Sequence, residues 1–113
     1  MFSRDQIQDQ NKKGYYVINM DDRQGPGTHW VVMNIQTNII EYFDSFGLNC
    51  PMEVVYLSNK LRLNYIYNSS QYQNLFSILC GYYCIFYINE SHKGQQYYDI
   101  IKPLSHTLIT MNN

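Results

Sequence analysis

The sequence predicts a single domain that combines β-strands with α-helices. Segments rich in aromatic and β-branched residues, bounded by turn-forming residues, recur through the first 67 positions and are typical of strands. A segment with helical spacing of its apolar residues follows residue 51. The chain has 113 residues, 45% of them hydrophobic and 15% charged, which is enough for one apolar core and too short for a second domain. We therefore expect one domain over residues 1–113.

Four segments are predicted as strands. Gly14 to Met20 reads GYYVINM and ends at an acidic turn, and Leu63 to Tyr67 is a further short strand candidate. His29 to Ile35 and Ile39 to Phe43 are separated by three polar residues, so we expect them to form a hairpin. The loop 24–28, with sequence QGPGT, precedes that hairpin. The first dozen residues are polar and indicate a loop or a short helix.

The clearest helix signal lies between Met52 and Leu61. Val54, Leu57 and Leu61 are three and then four residues apart, which places them on one face of a helix. Pro51 lies at the expected first turn, where its missing N–H carries no penalty. The sequence therefore predicts an amphipathic helix here.

The segment Gly81 to Ile88 (GYYCIFYI) is ambiguous from its residues alone. Its β-branched and aromatic residues favour a strand, while its apolar character on all sides also suits a buried helix. The tail from Tyr97 to Asn113 has room for one helix.

Charge and hydropathy exclude several classes of function. The net charge of −1, with no Lys/Arg cluster beyond Lys12 and Lys13, argues against nucleic acid as a partner. The longest apolar run, Ile78 to Ile88, is far below the roughly 20 residues of a transmembrane helix, and the polar N-terminus lacks a signal-peptide pattern. We expect a soluble intracellular protein with no membrane partner.

The cysteines indicate thiols rather than disulfides or a metal site. Three cysteines, Cys50, Cys80 and Cys84, are an odd number, so they cannot form a complete disulfide framework within one chain. Cys80 and Cys84 have no matching second pair of ligands, because His92 and His106 are too far apart for zinc spacing. We expect neither a metal nor another cofactor.

Cys80 is the candidate nucleophile. A thiolate is stabilised at a helix N-terminus or beside an imidazolium, and Cys80 precedes the apolar run that could be a buried helix. Gly81 lets other backbone approach closely. An isolated Cys-Gly pair is nevertheless more often a buried structural thiol.

His29 and Asp44 are the candidate base and its orienting acid. His29 begins one strand of the predicted hairpin and Asp44 follows the other, so antiparallel pairing brings them near each other. Taken alone, His29 also suits a surface histidine, and Asp44 an ordinary turn aspartate. Gln73, in a polar loop, could donate a hydrogen bond to an oxyanion, as could the neighbouring Gln71, although solvated loop glutamines are commoner.

Several blocks in one order resemble the adenovirus-type and SUMO-protease-like cysteine proteases. These blocks are Gly27 to Trp30 (GTHW), Tyr42 to Gly47 (YFDSFG), Gln73, and Cys80 to Cys84 (CGYYC). The sequence is most similar to the maturation proteases of virophages and of related virus-like DNA transposons, where a strand like Gly14 to Asp22 precedes the His block.

This resemblance covers about residues 2–90 and implies an α+β domain of the papain-like, adenain-like type. In such a domain a central Cys-bearing helix packs against a small, mostly antiparallel sheet, so residues 81–88 are expected to be helical. Family members usually have more chain before Phe2, so this domain looks short at its N-terminus, and the tail after Glu90 matches nothing and suggests no site.

The resemblance also implies roles and a substrate. Cys80 would be the nucleophile, His29 the general base, Asp44 the orienting acid, and Gln73 with the Cys80 backbone N–H the oxyanion hole. The implied function is an endopeptidase that processes viral capsid or precursor proteins, in the host-cell cytoplasm or the virion. The alternatives are an isopeptidase acting on ubiquitin-like conjugates, or a catalytically silent protease-like binding module.

Overall fold

The protein forms one five-stranded sheet with helices on both faces. The structure, a computed structural model, describes residues 2–20, 29–69 and 80–111. The strands are β1 (Phe2–Ser3), β2 (Gly14–Asn19), β3 (Trp30–Ile35), β4 (Ile39–Phe43) and β5 (Asn64–Tyr67). The helices are a 3₁₀ helix (Arg4–Asp9), α1 (Met52–Leu61), α2 (Cys80–His92) and α3 (Tyr97–Met111). Within those ranges, every helix is too short or too polar to reach across a lipid bilayer.

The sheet is antiparallel at its centre and parallel at its two edges. Its strand order is β1-β2-β3-β4-β5, so β3 is the middle strand. β3 pairs antiparallel with β2 and with β4, with Val32 opposite Phe43 in the hairpin, while β1 and β5 join in parallel. The predicted hairpin therefore forms, and the short β1 adds an edge strand that the polar N-terminal sequence did not indicate.

Alternation of side chains along the strands divides the core into two layers. On one face, Val31, Met33 and Ile35 of β3 pack with residues of α1 and of the 3₁₀ helix. On the other face, Val32 of β3 and Phe43 of β4 pack with α2 and α3. Because successive residues of a strand point to opposite faces, the near-continuous apolar sequence of β3 fits a strand that is covered on both sides.

α1 has the bounds that its apolar spacing predicts. It starts after Pro51 and buries Val54 and Leu57 completely. It ends at Arg62, whose φ of 57° is left-handed and whose N–H bonds back to the Asn59 carbonyl oxygen. A left-handed residue is a common helix stop, and a glycine usually supplies it.

The ambiguous run 81–88 lies within α2 and is therefore helical. Cys80, Tyr83, Cys84 and Tyr87 recur at positions i, i+3, i+4 and i+7 and are all buried, whereas Tyr82 and Ile85 are mostly exposed. The buried stripe packs on β3, so this Cys-bearing helix lies centrally on the sheet, as the resemblance implied.

Buried hydrogen bonds fix α2 to the sheet at the end away from Cys80. The Tyr87 hydroxyl donates to the Glu41 carboxylate and accepts from the Asn34 amide at 3.4 Å. The Tyr15 hydroxyl bonds the Ser91 hydroxyl at 2.8 Å. Burial and the adjacent Glu41 raise the pKa of Tyr87, so its hydroxyl stays protonated as a donor.

Other predicted elements differ only at their ends or fall outside the described ranges. β2 stops at Asn19 rather than Met20, and β5 begins at Asn64 rather than Leu63. α3 begins at Tyr97, where the tail was expected to hold one helix. The loop 24–28 lies outside the described residues.

Candidate active site

The candidate site lies where the hairpin ends and α2 begins. His29 immediately precedes β3, and its carbonyl oxygen accepts a hydrogen bond from the Met20 N–H at 2.7 Å. Asp44 immediately follows β4. Continuing the antiparallel register of Val32 and Phe43 past the strand ends brings His29 opposite residue 46 and within reach of residue 44.

The structure brings His29 and Asp44 into contact. The His29 Nε2 lies 3.0 Å from Asp44 Oδ1, and the two side chains are 13% and 2% exposed. Neither ring nitrogen makes a hydrogen bond of acceptable angle with the described residues, although both atoms are shielded from solvent. The two atoms are therefore close enough for a hydrogen bond, but the angle between them is unfavourable for one.

The Asp44 carboxylate is held by the turn that follows it. Its Oδ1 accepts a hydrogen bond from the Phe46 N–H at 2.8 Å, and the Asp44 carbonyl oxygen accepts one from the Gly47 N–H at 2.8 Å. Gly47 has a φ of 70°, a left-handed conformation that glycine adopts without steric cost. The DSFG sequence therefore forms a tight turn in which an aspartate bonds its own backbone two residues on.

Phe46 also contacts the imidazole directly. The rings of Phe46 and His29 are stacked, with centroids 4.2 Å apart and planes 3° from parallel. Phe46 was not among the site residues predicted from the sequence. The signal was present, because Phe46 lies in the YFDSFG block opposite His29 in the hairpin register.

Asn68 is a second site residue that the sequence analysis missed. It follows β5, is 2% exposed, and bonds the backbone of Asp44 through both ends of its amide. Residues Asn68 and Asp44 are 24 positions apart, and nothing in the local sequence links them.

Cys80 is the first residue of α2 and is buried. One helical turn further on, the pKa of Cys84 is raised to about 12, chiefly by burial and to a lesser extent by Cys80 and Asp44. Cys84 belongs to the same core cluster as Phe43, the residue directly before Asp44. Gln73 and its competitor Gln71 lie outside the described residues.

The fold as a whole resembles that of solved protein structures. Two crystal structures of the ASFV pS273R protease superpose with TM-scores of 0.62 and 0.56, at 24% and 21% sequence identity. The fold is that of a SUMO-protease-like cysteine protease. The α+β prediction, with its Cys-bearing helix on the sheet, is therefore confirmed.

This similarity is partial in both directions. The matches cover 77% of this chain and only 37% and 36% of the two protease chains, so the chain spans little more than a third of their length. No family model matches the sequence, and no curated protein matches it either.

Among residues 2–20, 29–69 and 80–111, no group of three or more His, Cys, Asp or Glu side chains is arranged to hold a metal ion.

Proposed function

We propose that the protein is a cysteine endopeptidase in which Cys80 is the nucleophile, His29 the general base and Asp44 the residue that orients His29. The observation that carries this proposal is the 3.0 Å contact between His29 and Asp44. It occurs in the fold of a cysteine protease, with a cysteine as the first residue of the central helix.

The arrangement of the imidazole gives each of its nitrogens a role. Because Nε2 faces the Asp44 carboxylate, Nδ1 is the nitrogen left to exchange a proton with a thiol. The carboxylate fixes the orientation of the ring and stabilises the imidazolium once the proton has moved. Cys80 is the first described residue of α2, and a thiol at the N-terminal end of a helix is stabilised as its thiolate by the helix dipole.

The reaction would proceed through a thioester. The Cys80 thiolate attacks the peptide carbonyl carbon, and His29 returns the proton to the leaving amine. Water then attacks the thioester, releasing the acid and restoring the thiol. We assign the oxyanion hole to Gln73 and the Cys80 backbone N–H, as the sequence resemblance implies.

Thiol alkylation tests the central claim. At pH 6 an ordinary thiol is only about 0.3% ionised, so a cysteine that has given its proton to histidine should react with iodoacetamide about 100-fold faster. We expect Cys80 to be the fast site, measured by mass spectrometry of its peptide, and His29→Ala to remove that advantage.

Cys50 provides the internal control, since burial raises the pKa of its thiol to about 12. Equal rates at Cys80 and Cys50 in the wild-type protein, unchanged by His29→Ala, would instead support a silent protease-like binding module. Circular dichroism of each variant separates loss of the site from loss of the fold.

The substrate is the finer part of the proposal. We propose viral capsid or precursor proteins, processed in the host-cell cytoplasm or the virion, and this rests on the resemblance of the sequence blocks to viral maturation proteases. Incubation with a purified capsid precursor and with a ubiquitin-like fusion protein distinguishes this substrate from the isopeptidase alternative. Cleavage of the fusion alone would overturn the capsid assignment.

A further inference from the structure

Asn68 has a buried side-chain amide, and both its oxygen and its nitrogen make hydrogen bonds. It lies just beyond β5 and is 2% exposed. A buried side-chain amide is costly unless its donor and acceptor find partners. Its Oδ1 accepts the Asp44 N–H at 2.9 Å, and its Nδ2 donates to the Asp44 carbonyl oxygen at 2.5 Å.

This pair of bonds continues the sheet past the end of its backbone pairing. The β4–β5 register ends with Tyr42 opposite Tyr67. The Asn68 amide, which has the donor and acceptor of a peptide group, then bonds both backbone groups of Asp44 as a neighbouring strand would. Asp44 is thus held like a residue inside a sheet, although the chain turns sharply directly after it.

Tyr97, the first residue of α3, supports the same corner from outside the hairpin. Its hydroxyl lies 2.8 Å from the Tyr42 carbonyl oxygen, to which it donates, and 3.3 Å from Asn68 Oδ1. The Tyr97 ring is buried. Ile100 of α3 packs in the core layer that also contains residues of α2, Val32 and Phe43. α3 therefore contacts both the backbone two residues before the candidate acid and the Asn68 side chain that bonds it.

We propose that Asn68 is a positioning residue for the Asp44 carboxylate, assisted by Tyr97, so that β5 and α3 belong to the catalytic apparatus. This inference rests on the proposed function. The Asp44 Oδ1 must stay within hydrogen-bonding distance of His29 Nε2, and Asp44 lies just beyond the end of β4, where Asn68 bonds both of its backbone groups. Misplacement by about 1 Å is enough to lower a catalytic rate about 100-fold.

The test compares two pairs of matched substitutions. Asn68→Ala and Tyr97→Phe remove the hydrogen bonds around Asp44. Asn34→Ala and Tyr87→Phe remove a buried amide and a buried tyrosine hydroxyl that bond each other at the opposite end of β3. Each variant is measured for melting temperature and for the iodoacetamide rate constant of Cys80 at pH 6.

We expect Asn68→Ala to lower the Cys80 rate constant about tenfold and Tyr97→Phe to lower it less, since Asn68 remains in place. The two controls should lose thermal stability yet keep the wild-type rate. In a His29→Ala background, Asn68→Ala should have no further effect, because a residue that acts through the His29–Asp44 contact has nothing left to position.

Two outcomes would contradict the inference, and they differ. If the Cys80 rate depends on His29 but Asn68→Ala keeps the wild-type rate, as Asn34→Ala should, the positioning role is wrong and the proposed protease stands. If the Cys80 rate does not depend on His29 at all, the proposed function fails and the inference fails with it. Should Asn68→Ala not fold, Tyr97→Phe and the isosteric Asn68→Asp, which removes the donor to the Asp44 carbonyl oxygen, supply the same comparison.

Discussion

Phe46 acts on both partners of the His29–Asp44 contact. Its backbone N–H bonds the Asp44 carboxylate, and its ring covers one face of the imidazole. A stacked ring restricts rotation of the imidazole. One turn residue therefore contacts both His29 and Asp44.

Removing the Phe46 ring should weaken the site without unfolding the protein. We expect Phe46→Ala to lower the Cys80 alkylation rate at pH 6 about 2- to 10-fold, the range given by the energy of an aromatic pair. Phe46→Tyr keeps the stacked ring and serves as the control. If Phe46→Ala and Phe46→Tyr react at the same rate, stacking does not contribute.

Among the elements, the N-terminal segment determines how well the sheet is supported at one side. The 3₁₀ helix buries Ile7 completely in the core that includes Val54 and Leu57 of α1. Arg4 adds an ion pair to Glu53 at 2.7 Å, but Arg4 is half exposed, so the pair contributes little. Support at this edge therefore comes from burial of Ile7.

Ile7→Ala should destabilise the protein by about 2–5 kcal/mol, the usual cost of emptying a buried aliphatic site. Urea unfolding followed by circular dichroism measures the change in free energy. The neighbouring exposed residue gives a control, since Gln8→Ala should stay within about 0.5 kcal/mol of the wild type. Equal stabilities of the two variants would mean that the 3₁₀ helix does not support the sheet.

At the scale of the whole molecule, several buried acids should make the fold sensitive to alkali. Burial raises the pKa of Cys50 and of Cys84 from 9.0 to about 12, and it also raises the pKa of Tyr42 and Tyr87. Between pH 9 and 12 the unfolded chain releases protons from the thiols that the folded chain retains. The folded state therefore loses stability as the pH rises through this window, and keeps it below pH 9.

We expect the free energy of unfolding, measured in urea with a reducing agent, to be steady near neutral pH and to fall above about pH 9. Each such group contributes a slope of up to about 1.4 kcal/mol per pH unit. Cys50→Ala should make the decline shallower. A free energy that stays level between pH 9 and 12 would show that these groups ionise equally well in the folded protein.

The sequence predicted a large part of the fold because the decisive signals are local. The apolar spacing after Pro51 gave α1 with its observed bounds, and the hairpin followed from two strand-like segments separated by three polar residues. The run 81–88 was ambiguous because all its residues are apolar or aromatic, and neither period stands out. In the structure, one stripe of α2 packs against β3, and this stripe includes Cys80 and Tyr87. Only this packing distinguishes the buried face of the helix from its exposed face.

The candidate site also contains residues that the sequence predicted and residues that it did not. The proximity of His29 and Asp44 was predictable because both belong to one hairpin, whose register the sequence already indicates. Asn68 and Tyr97 were not, because their bonds to the Asp44 corner join segments 24 to 55 residues apart. The tail after Glu90 suggested no site, yet α3 begins with a tyrosine that bonds this corner.

By itself, then, the sequence determined the four strands β2 to β5, the amphipathic helix and the order of the reactive side chains, since these depend on neighbours along the chain. The tertiary structure alone decided which buried polar groups hold the acid in place. A hydrogen bond requires two groups to meet within about 3 Å, and for distant segments only the packing of the whole sheet and its helices fixes that separation.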